Sequence, residues 1–233
     1  MSEFIVFLWI ATAFLGVSLL AIVSRKSGHW ILFSAIAGLG VIANVLASAK
    51  IIQFPFGLHV PAGILAYMLS FFLLDILSEF KGKKIALHAI YGSLAAQAIS
   101  ISLIWLMLIW PPASFMTAER VIAVDMVLGL SPRLFIAGLL AFAVSSVLNV
   151  LIFNAIKSKT GKKLLWLRNN TSTITSILVA NLIFIPLGYY GTPFPVMKMI
   201  KGHAIVQIII AMIDTLFIYF VLYYKYPFLE KNK

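Results

Sequence analysis

The sequence predicts an all-α integral membrane protein whose helices cross the bilayer several times. Of its 233 residues, 62% are hydrophobic and 11% are charged, and the mean hydropathy is +1.06. A soluble domain of this size could not bury so much apolar surface. Apolar runs close to the ~20 residues that cross a hydrocarbon core recur along the whole chain. These runs lack the alternation of barrel strands, so helices are expected.

Seven spans follow one another along the chain, and Pro-rich segments at 54–61, 111–112 and 193–195 mark breaks between helices. The predicted spans are Phe4–Val23, Trp30–Ala49, Val60–Leu77, Ile85–Trp110, Pro132–Ile156, Thr171–Gly191 and His203–Tyr224. An acid precedes the first run and basic residues follow it, which is the reverse of the charge order in a cleaved signal peptide. We therefore expect this run to be a retained helix.

Lysine and arginine are distributed unevenly between the two sides of the predicted bundle. The connections after the first, third, fifth and seventh spans carry thirteen of them, and the opposite side carries five. Because cytoplasmic loops are enriched in basic residues, we expect the N-terminus outside and the C-terminus in the cytoplasm, in the inner membrane. The net charge of +11 comes from these short loops, so no nucleic-acid partner is expected.

This orientation divides the chain into three parts. Residues 30–226 are predicted to form a six-helix unit with both ends in the cytoplasm. Residues 1–29 are predicted to be an additional helix with a basic loop, and residues 227–233 a cytoplasmic tail.

Acidic side chains at membrane depth are the first indication of a site, because such groups are costly in lipid and face the interior of a bundle. Asp214 lies near the middle of its span. Gln207 and His203, seven and eleven residues earlier, are on the same helical face, which is expected to point inward. Asp75 interrupts an apolar run. Its alternative role is that of an interfacial acid paired with Lys81 or Lys84.

Amides and aromatic residues complete the predicted site. Asn44, Gln97, Asn149 and Asn181 each come from a different span. One amide alone is more typical of a contact between helices, but acids and amides on this many spans indicate a polar interior suited to a flat polar solute. Tyr67 and Phe71 precede Asp75 by two turns and one turn, and are candidate stacking residues, with ordinary core positions as the alternative.

Catalytic and metal-binding motifs are absent from the sequence. It contains no HExxH, GxSxG or Walker loop, no cysteine, and four scattered histidines near the span ends. We therefore predict no catalytic residue, metal or cofactor. The acid pair Asp75 and Glu79 is the only support for an enzyme.

Two stretches, ILAYMLSFFLLDILSEFKGKKIA (64–86) and WLRNNTST (166–173), resemble the signatures of the queuosine precursor transporter family, also called the vitamin uptake transporter family. The segments VIANVLASAKII (41–52) and MIDTLFIYF (212–220) also fit it. The matching residues are Asn44, Lys50, Asp75, Ser78, Glu79, Gly82, Lys83, Lys84, Ala86, Arg133, Ser145, Trp166, Arg168, Asn169, Asn170, Ser172, Thr173 and Asp214.

The resemblance implies a six-helix bundle similar to the substrate-binding subunits of energy-coupling-factor vitamin transporters. It implies uptake of 7-cyano-7-deazaguanine or a related precursor for modification of transfer RNA, with Asp75 as a site residue. The chain departs from the family where Ser146 and Asn149 replace a Gln and an Asp in the fifth span. The sixth span also departs from the family pattern, at Asn181. The ligand is therefore expected to be purine-like, and the sequence does not specify it further.

The leading hypothesis is a secondary transporter with a midplane site, in which Asp214 and Asn181 contact the polar edge of the solute. Asn149 and Gln207 are expected near by. The first alternative is a substrate-binding subunit of an energy-coupled importer, and the second is a membrane enzyme acting on a lipid or nucleotide precursor. The expected partners are a small-molecule substrate and the lipid bilayer, with a homodimer as an open alternative.

Overall fold

The computed structural model describes residues 3–128, 132–161, 163–193 and 195–223. Within these residues the α-helices are α1 (Glu3–Ser27), α2 (Trp30–Ala49), α3 (Ile64–Phe80), α4 (Lys83–Ile109), α5 (Ala118–Leu128), α6 (Pro132–Thr160), α7 (Leu165–Tyr189) and α8 (Val196–Tyr223). The only strands in this part of the chain are β1 (Ile51–Phe54) and β2 (Leu58–Pro61). The predicted tail 227–233, and the end of the predicted unit 30–226, lie outside the described residues.

Within the described residues, six helical stretches are long and apolar enough to cross a membrane. Five are Phe4–Ser27, Trp30–Ala49, Lys83–Ile109, Leu165–Tyr189 and Val196–Tyr223, and the sixth includes α6 (Pro132–Thr160). The predicted all-α membrane bundle is therefore confirmed. The third predicted span is not among these six.

Helix α3 lies at the centre of the bundle, and longer helices surround it. Fourteen of its 17 residues are buried, and it contacts α1, α2, α4, α6 and α8. The sequence agrees with this position, because apolar residues surround Asp75 on all sides of the helix, as expected of an enclosed helix. The predicted start at Val60 was too early. Val60 lies in β2, and the helix begins at Ile64 and ends at Phe80.

The strands β1 and β2 form an antiparallel hairpin that was predicted only as a break between helices. Ile52 pairs with Val60, and a short 3₁₀ turn at Pro55–Gly57 connects the strands. The hairpin packs on the start of α8, where a Cβ added to Gly202 would lie 3.3 Å from the carbonyl oxygen of His59. We call this end of the bundle the hairpin end.

The opposite end carries a concentration of basic side chains, and we call it the basic end. Arg25 at the end of α1 donates to the carbonyl oxygen of Val221 on α8. Lys157 on α6 donates to the carbonyl oxygens of Ser78 (2.9 Å) and Glu79 (2.5 Å), at the end of α3. These contacts bring the ends of α1, α3, α6 and α8 together at one level.

Helices α6 and α7 make the most extensive contact between any two helices. A ladder of small residues on α6, predicted to let helix backbones approach closely, faces the interior. Ala137, Ala141, Ser145 and Asn149 are all at most 3% exposed.

Helix α1 packs on the bundle through aromatic contacts. The Phe14 ring lies 5.3 Å from that of Phe72 on α3 and 5.4 Å from that of Phe217 on α8. The predicted additional helix is thus in direct contact with the central helix.

Helix α5 is a short element that was not predicted. It has 11 residues, of which none is buried. Ser48 of α2 donates to the carbonyl oxygen of Val127 at 3.1 Å, which places α5 at the hairpin end.

Candidate functional site

Buried polar side chains form three layers along the bundle axis. The first is a cavity beneath the hairpin, which we call the outer cavity. The second is the carboxylate layer, built around Asp75 and Asp214. The third is the ion-pair layer at the basic end, built around Glu79 and Arg168.

The outer cavity has a volume of about 50 Å³ and is lined by residues of the hairpin end and six helices, α2, α3, α4, α6, α7 and α8. Its polar lining residues are Asn44, Tyr67, Gln97, Asn181 and His203. Four of these five were predicted site residues. The cavity has space for a few waters but is far below the roughly 300–1,000 Å³ of typical ligand pockets. A purine-sized solute therefore requires its walls to move apart.

One wall of the cavity is a network of satisfied hydrogen bonds. Asn44 Nδ2 on α2 donates to Gln97 Oε1 on α4 at 2.9 Å, and Gln97 Nε2 donates to Ser93 Oγ at 3.1 Å. The Tyr67 hydroxyl on α3 is 2.7 Å from Ser145 Oγ on α6. These bonds join α2 to α4 and α3 to α6 around the cavity.

The wall formed by α7 and α8 contains polar atoms without partners. Asn181 Nδ2 donates to Gln207 Oε1, just behind the cavity lining, at 2.9 Å, and Gln207 Nε2 has no acceptor among the residues that the structure describes. Both ring nitrogens of His203 are also unpartnered, although the residue is only 6% exposed. Because buried polar groups are nearly always hydrogen-bonded, these atoms are candidates for contact with a ligand.

His203 was not among the predicted site residues, because it was expected at the start of a span, where an interfacial histidine is ordinary. Helix α8 begins seven residues earlier, at Val196, so His203 lies two turns inside it. Lys198 and Lys201 lower the local hydropathy, so the sequence pattern does not indicate that the helix begins before His203. The helical face shared by His203 and Gln207 was the available signal.

The carboxylate layer joins four helices. Asp75 on α3 accepts hydrogen bonds from Asn149 Nδ2 on α6 (2.7 Å) and from Thr173 Oγ1 on α7 (3.0 Å). Asp214 on α8 accepts one from Asn169 Nδ2 on α7 at 2.7 Å. Asn169 and Thr173 are one helical turn apart, so one face of α7 contacts both carboxylates. All five residues are fully buried.

The ion-pair layer lies one turn from Asp75 toward the basic end. Arg168 Nη2 and Nε donate to Glu79 Oε2 at 2.8 and 3.2 Å, and Lys157 Nζ is 3.5 Å from the same oxygen. Arg168 is 1% exposed. The alternative in which Asp75 pairs with Lys81 or Lys84 is wrong, since Asp75 contacts Asn149 and Thr173 instead.

The structure separates some predicted site residues that were expected together. Asn181 contacts Gln207 in the cavity wall, whereas Asp214 contacts Asn169 two turns along α8. Phe71 is buried, 5.0 Å from the Tyr67 ring, and is not among the cavity-lining residues. A substrate contact by Asp75, Asn149, Asp214 or Phe71 stays a prediction.

The two signature stretches of the sequence face one another in the fold. Asp75 of the first contacts Thr173 of the second, and Glu79 contacts Arg168. Residues 61–221 match the family described as "Putative vitamin uptake transporter". The chain belongs to this family. It is therefore a multi-pass membrane transporter rather than an enzyme.

The sequence of a relative supports the same family assignment. The chain is 30% identical over 184 residues to the "Probable queuosine precursor transporter" of Bacillus subtilis (strain 168), a match that covers 78% of this chain and 79% of the relative. No solved structure matches the chain significantly.

Proposed function

We propose that the protein imports a planar, purine-like queuosine precursor, such as 7-cyano-7-deazaguanine, and binds it in the outer cavity. The unpartnered polar atoms of His203 and Gln207, beside the amide of Asn181, are the observation that carries this proposal. The name of the Bacillus subtilis relative supports the substrate class.

The chemistry of the cavity fits the edge of a deazaguanine. The keto oxygen and the nitrile of such a base accept hydrogen bonds. The ring of His203 lines the cavity and can donate one, and Gln207 Nε2, which is not in the cavity lining, would become a second donor as the walls move apart. The ring N–H and the exocyclic amine donate, and amide oxygens such as Asn44 Oδ1 accept. Tyr67 and Phe142 line the same cavity and supply aromatic surface for the flat faces of the ring.

The proposed route uses the hairpin end as the outer entrance. The expected orientation, with the N-terminus outside, places the hairpin outside and the basic end in the cytoplasm. Movement of the hairpin and of α8 would open the cavity, and movement of the helices around the carboxylate layer would release the solute inward. This is alternating access around a fixed site.

Transport by the chain alone tests the proposal. Purified protein reconstituted in liposomes is expected to accumulate radiolabelled 7-cyano-7-deazaguanine, with competition by unlabelled compound and weaker competition by adenine. Binding without transport by the isolated chain would instead support the role of a substrate-binding subunit for an energising complex.

A matched pair of amide variants locates the site. Asn181→Leu is expected to lower uptake at least tenfold, because it removes the amide beside the cavity and its bond to Gln207. Asn154→Leu is the control, since Asn154 bonds only the carbonyl oxygen of Val150 within its own helix. Equal uptake by both variants would contradict the location.

A further inference from the structure

The carboxylate layer has more hydrogen-bond acceptors than donors. Asn149 Oδ1, Asn169 Oδ1 and Asp214 Oδ2 are buried and have no hydrogen-bond partner in the described part of the chain. The amide nitrogens of Asn149 and Asn169 bind Asp75 and Asp214, so their free oxygens lie beside the same two carboxylates. Three unpartnered oxygen atoms next to two acids indicate a site for a cation or for a hydrogen-bond donor.

The layer also lacks a compensating cation. The basic residues Arg168 and Lys157 pair with Glu79 one turn away. Among the residues that the structure describes, neither Asp75 nor Asp214 contacts a lysine, arginine or histidine. A carboxylate at membrane depth is costly without a partner, and these two accept hydrogen bonds from side chains one helical turn apart on α7.

We propose that Asp75, Asp214, Asn149 and Asn169 bind one sodium ion. Carboxylate and amide oxygens are ligands for hard cations, whereas most transition metals select imidazole or thiolate. Mg²⁺ keeps several of its waters, for which these fully buried side chains leave little room. A proton would neutralise one acid but would leave the amide oxygens unpartnered. A sodium ion neutralises one of the two negative charges, as a proton would, and can also be bound by the free amide oxygens.

The ion would connect the two helices that form the unsatisfied cavity wall. Asn169 is on α7, which also carries Asn181, and Asp214 is on α8, which also carries Gln207. An ion that holds α7 against α8 would fix the spacing of Asn181 and Gln207, so ion and solute would each raise the affinity for the other. This coupling rests on the proposed function, whereas ion binding itself does not.

Thermal denaturation of the purified full-length chain, with no organic ligand present, tests ion binding. The midpoint is expected to rise with NaCl and to saturate, and to change little when choline chloride replaces it at constant ionic strength. A ligand that binds only the folded state stabilises it by mass action. Direct binding of radioactive sodium is expected at about one ion per chain.

Three variants assign the site. Asp214→Asn, which keeps the shape of the side chain, and Asn169→Ala are each expected to weaken sodium binding at least tenfold. Asp125→Asn removes the same kind of charge at an exposed position on α5 and is expected to bind sodium like the wild type. A wild-type chain with no saturable sodium response contradicts the proposal, whether or not the variants fold. So does an unchanged response in Asp214→Asn.

Uptake measurements separate this proposal from the substrate proposal. Sodium binding without uptake of 7-cyano-7-deazaguanine would leave the ion site standing and refute the substrate. The opposite result would be a chain that binds no sodium and whose uptake does not change with a sodium gradient. It would refute the ion site and leave the substrate proposal standing.

Discussion

At the scale of single residues, the two acids of α3 have partners of different charge. Glu79, near the basic end, has two cationic partners, Arg168 and Lys157. Asp75, one turn deeper in the bundle, has only neutral partners, the side chains of Asn149 and Thr173. The first acid belongs to a structural ion pair, and a functional role for the second stays a prediction.

The buried guanidinium of Arg168 makes a large contribution to stability. It also donates to the carbonyl oxygens of Gly161 and Lys163 at the start of α7. Arg168→Met is expected to destabilise the protein by about 3 kcal/mol, because removing one partner of a buried pair strands the other. The midpoint of thermal denaturation in detergent measures the loss. Arg120→Met, at an exposed position on α5, is the control, and an equal midpoint for the two variants would contradict this role.

Residue types were predictable from the sequence, but their pairing was not. Acids and amides in apolar runs can be identified from composition, and Asp75, Asn149, Asn181, Gln207 and Asp214 are all buried as expected. Which acid meets which amide depends on the rotation of each helix about its axis. Hydropathy does not encode that rotation.

At the scale of elements, the hairpin and the start of α8 were not predicted from the sequence. The strands have only four residues each and a proline in the connecting turn, so they resemble an interhelical loop. Helix α3, by contrast, was predicted from its apolar run as a membrane span, although its enclosed position at the centre of the bundle was not predicted.

The hairpin is expected to act as the outer gate of the cavity. Leu58 of β2 approaches Gly202 of α8, where an added Cβ would lie 3.9 Å from the Leu58 side chain. The natural chain has no cysteine, so a Leu58→Cys, Gly202→Cys pair can be joined by a short thiol cross-linker without background. Cross-linking is expected to abolish uptake.

Two controls accompany the cross-link. A linker cleavable by reductant is expected to restore uptake after cleavage, and each single-cysteine variant treated in the same way is expected to transport normally. Full uptake by the cross-linked pair would show that the hairpin does not gate the cavity.

At the scale of the whole molecule, the distribution of basic residues agrees with the arrangement of the helices. Basic side chains on α1, α6 and α7 meet at one end, as the alternating charge pattern of the connections requires. Orientation itself remains a prediction from the positive-inside rule.

Labelling of introduced cysteines tests this orientation. Phe56→Cys is in the hairpin, at a position that is 84% exposed, and Ser158→Cys is exposed at the basic end. A membrane-impermeant maleimide added to intact cells is expected to label the first and not the second. Permeabilised cells, in which both positions should react, are the control, and labelling of Ser158→Cys in intact cells would reverse the orientation.

The central claim is that the solute binds in the outer cavity, and calorimetric titration with 7-cyano-7-deazaguanine tests it most directly. A Cβ added to Gly138 would lie 2.2 Å from Asn44 Oδ1, whereas one added to Gly92 meets nothing within 4 Å. We expect Gly138→Ala to weaken binding at least tenfold and Gly92→Ala to bind like the wild type. Wild-type affinity in Gly138→Ala, with the variant folded, would contradict the claim.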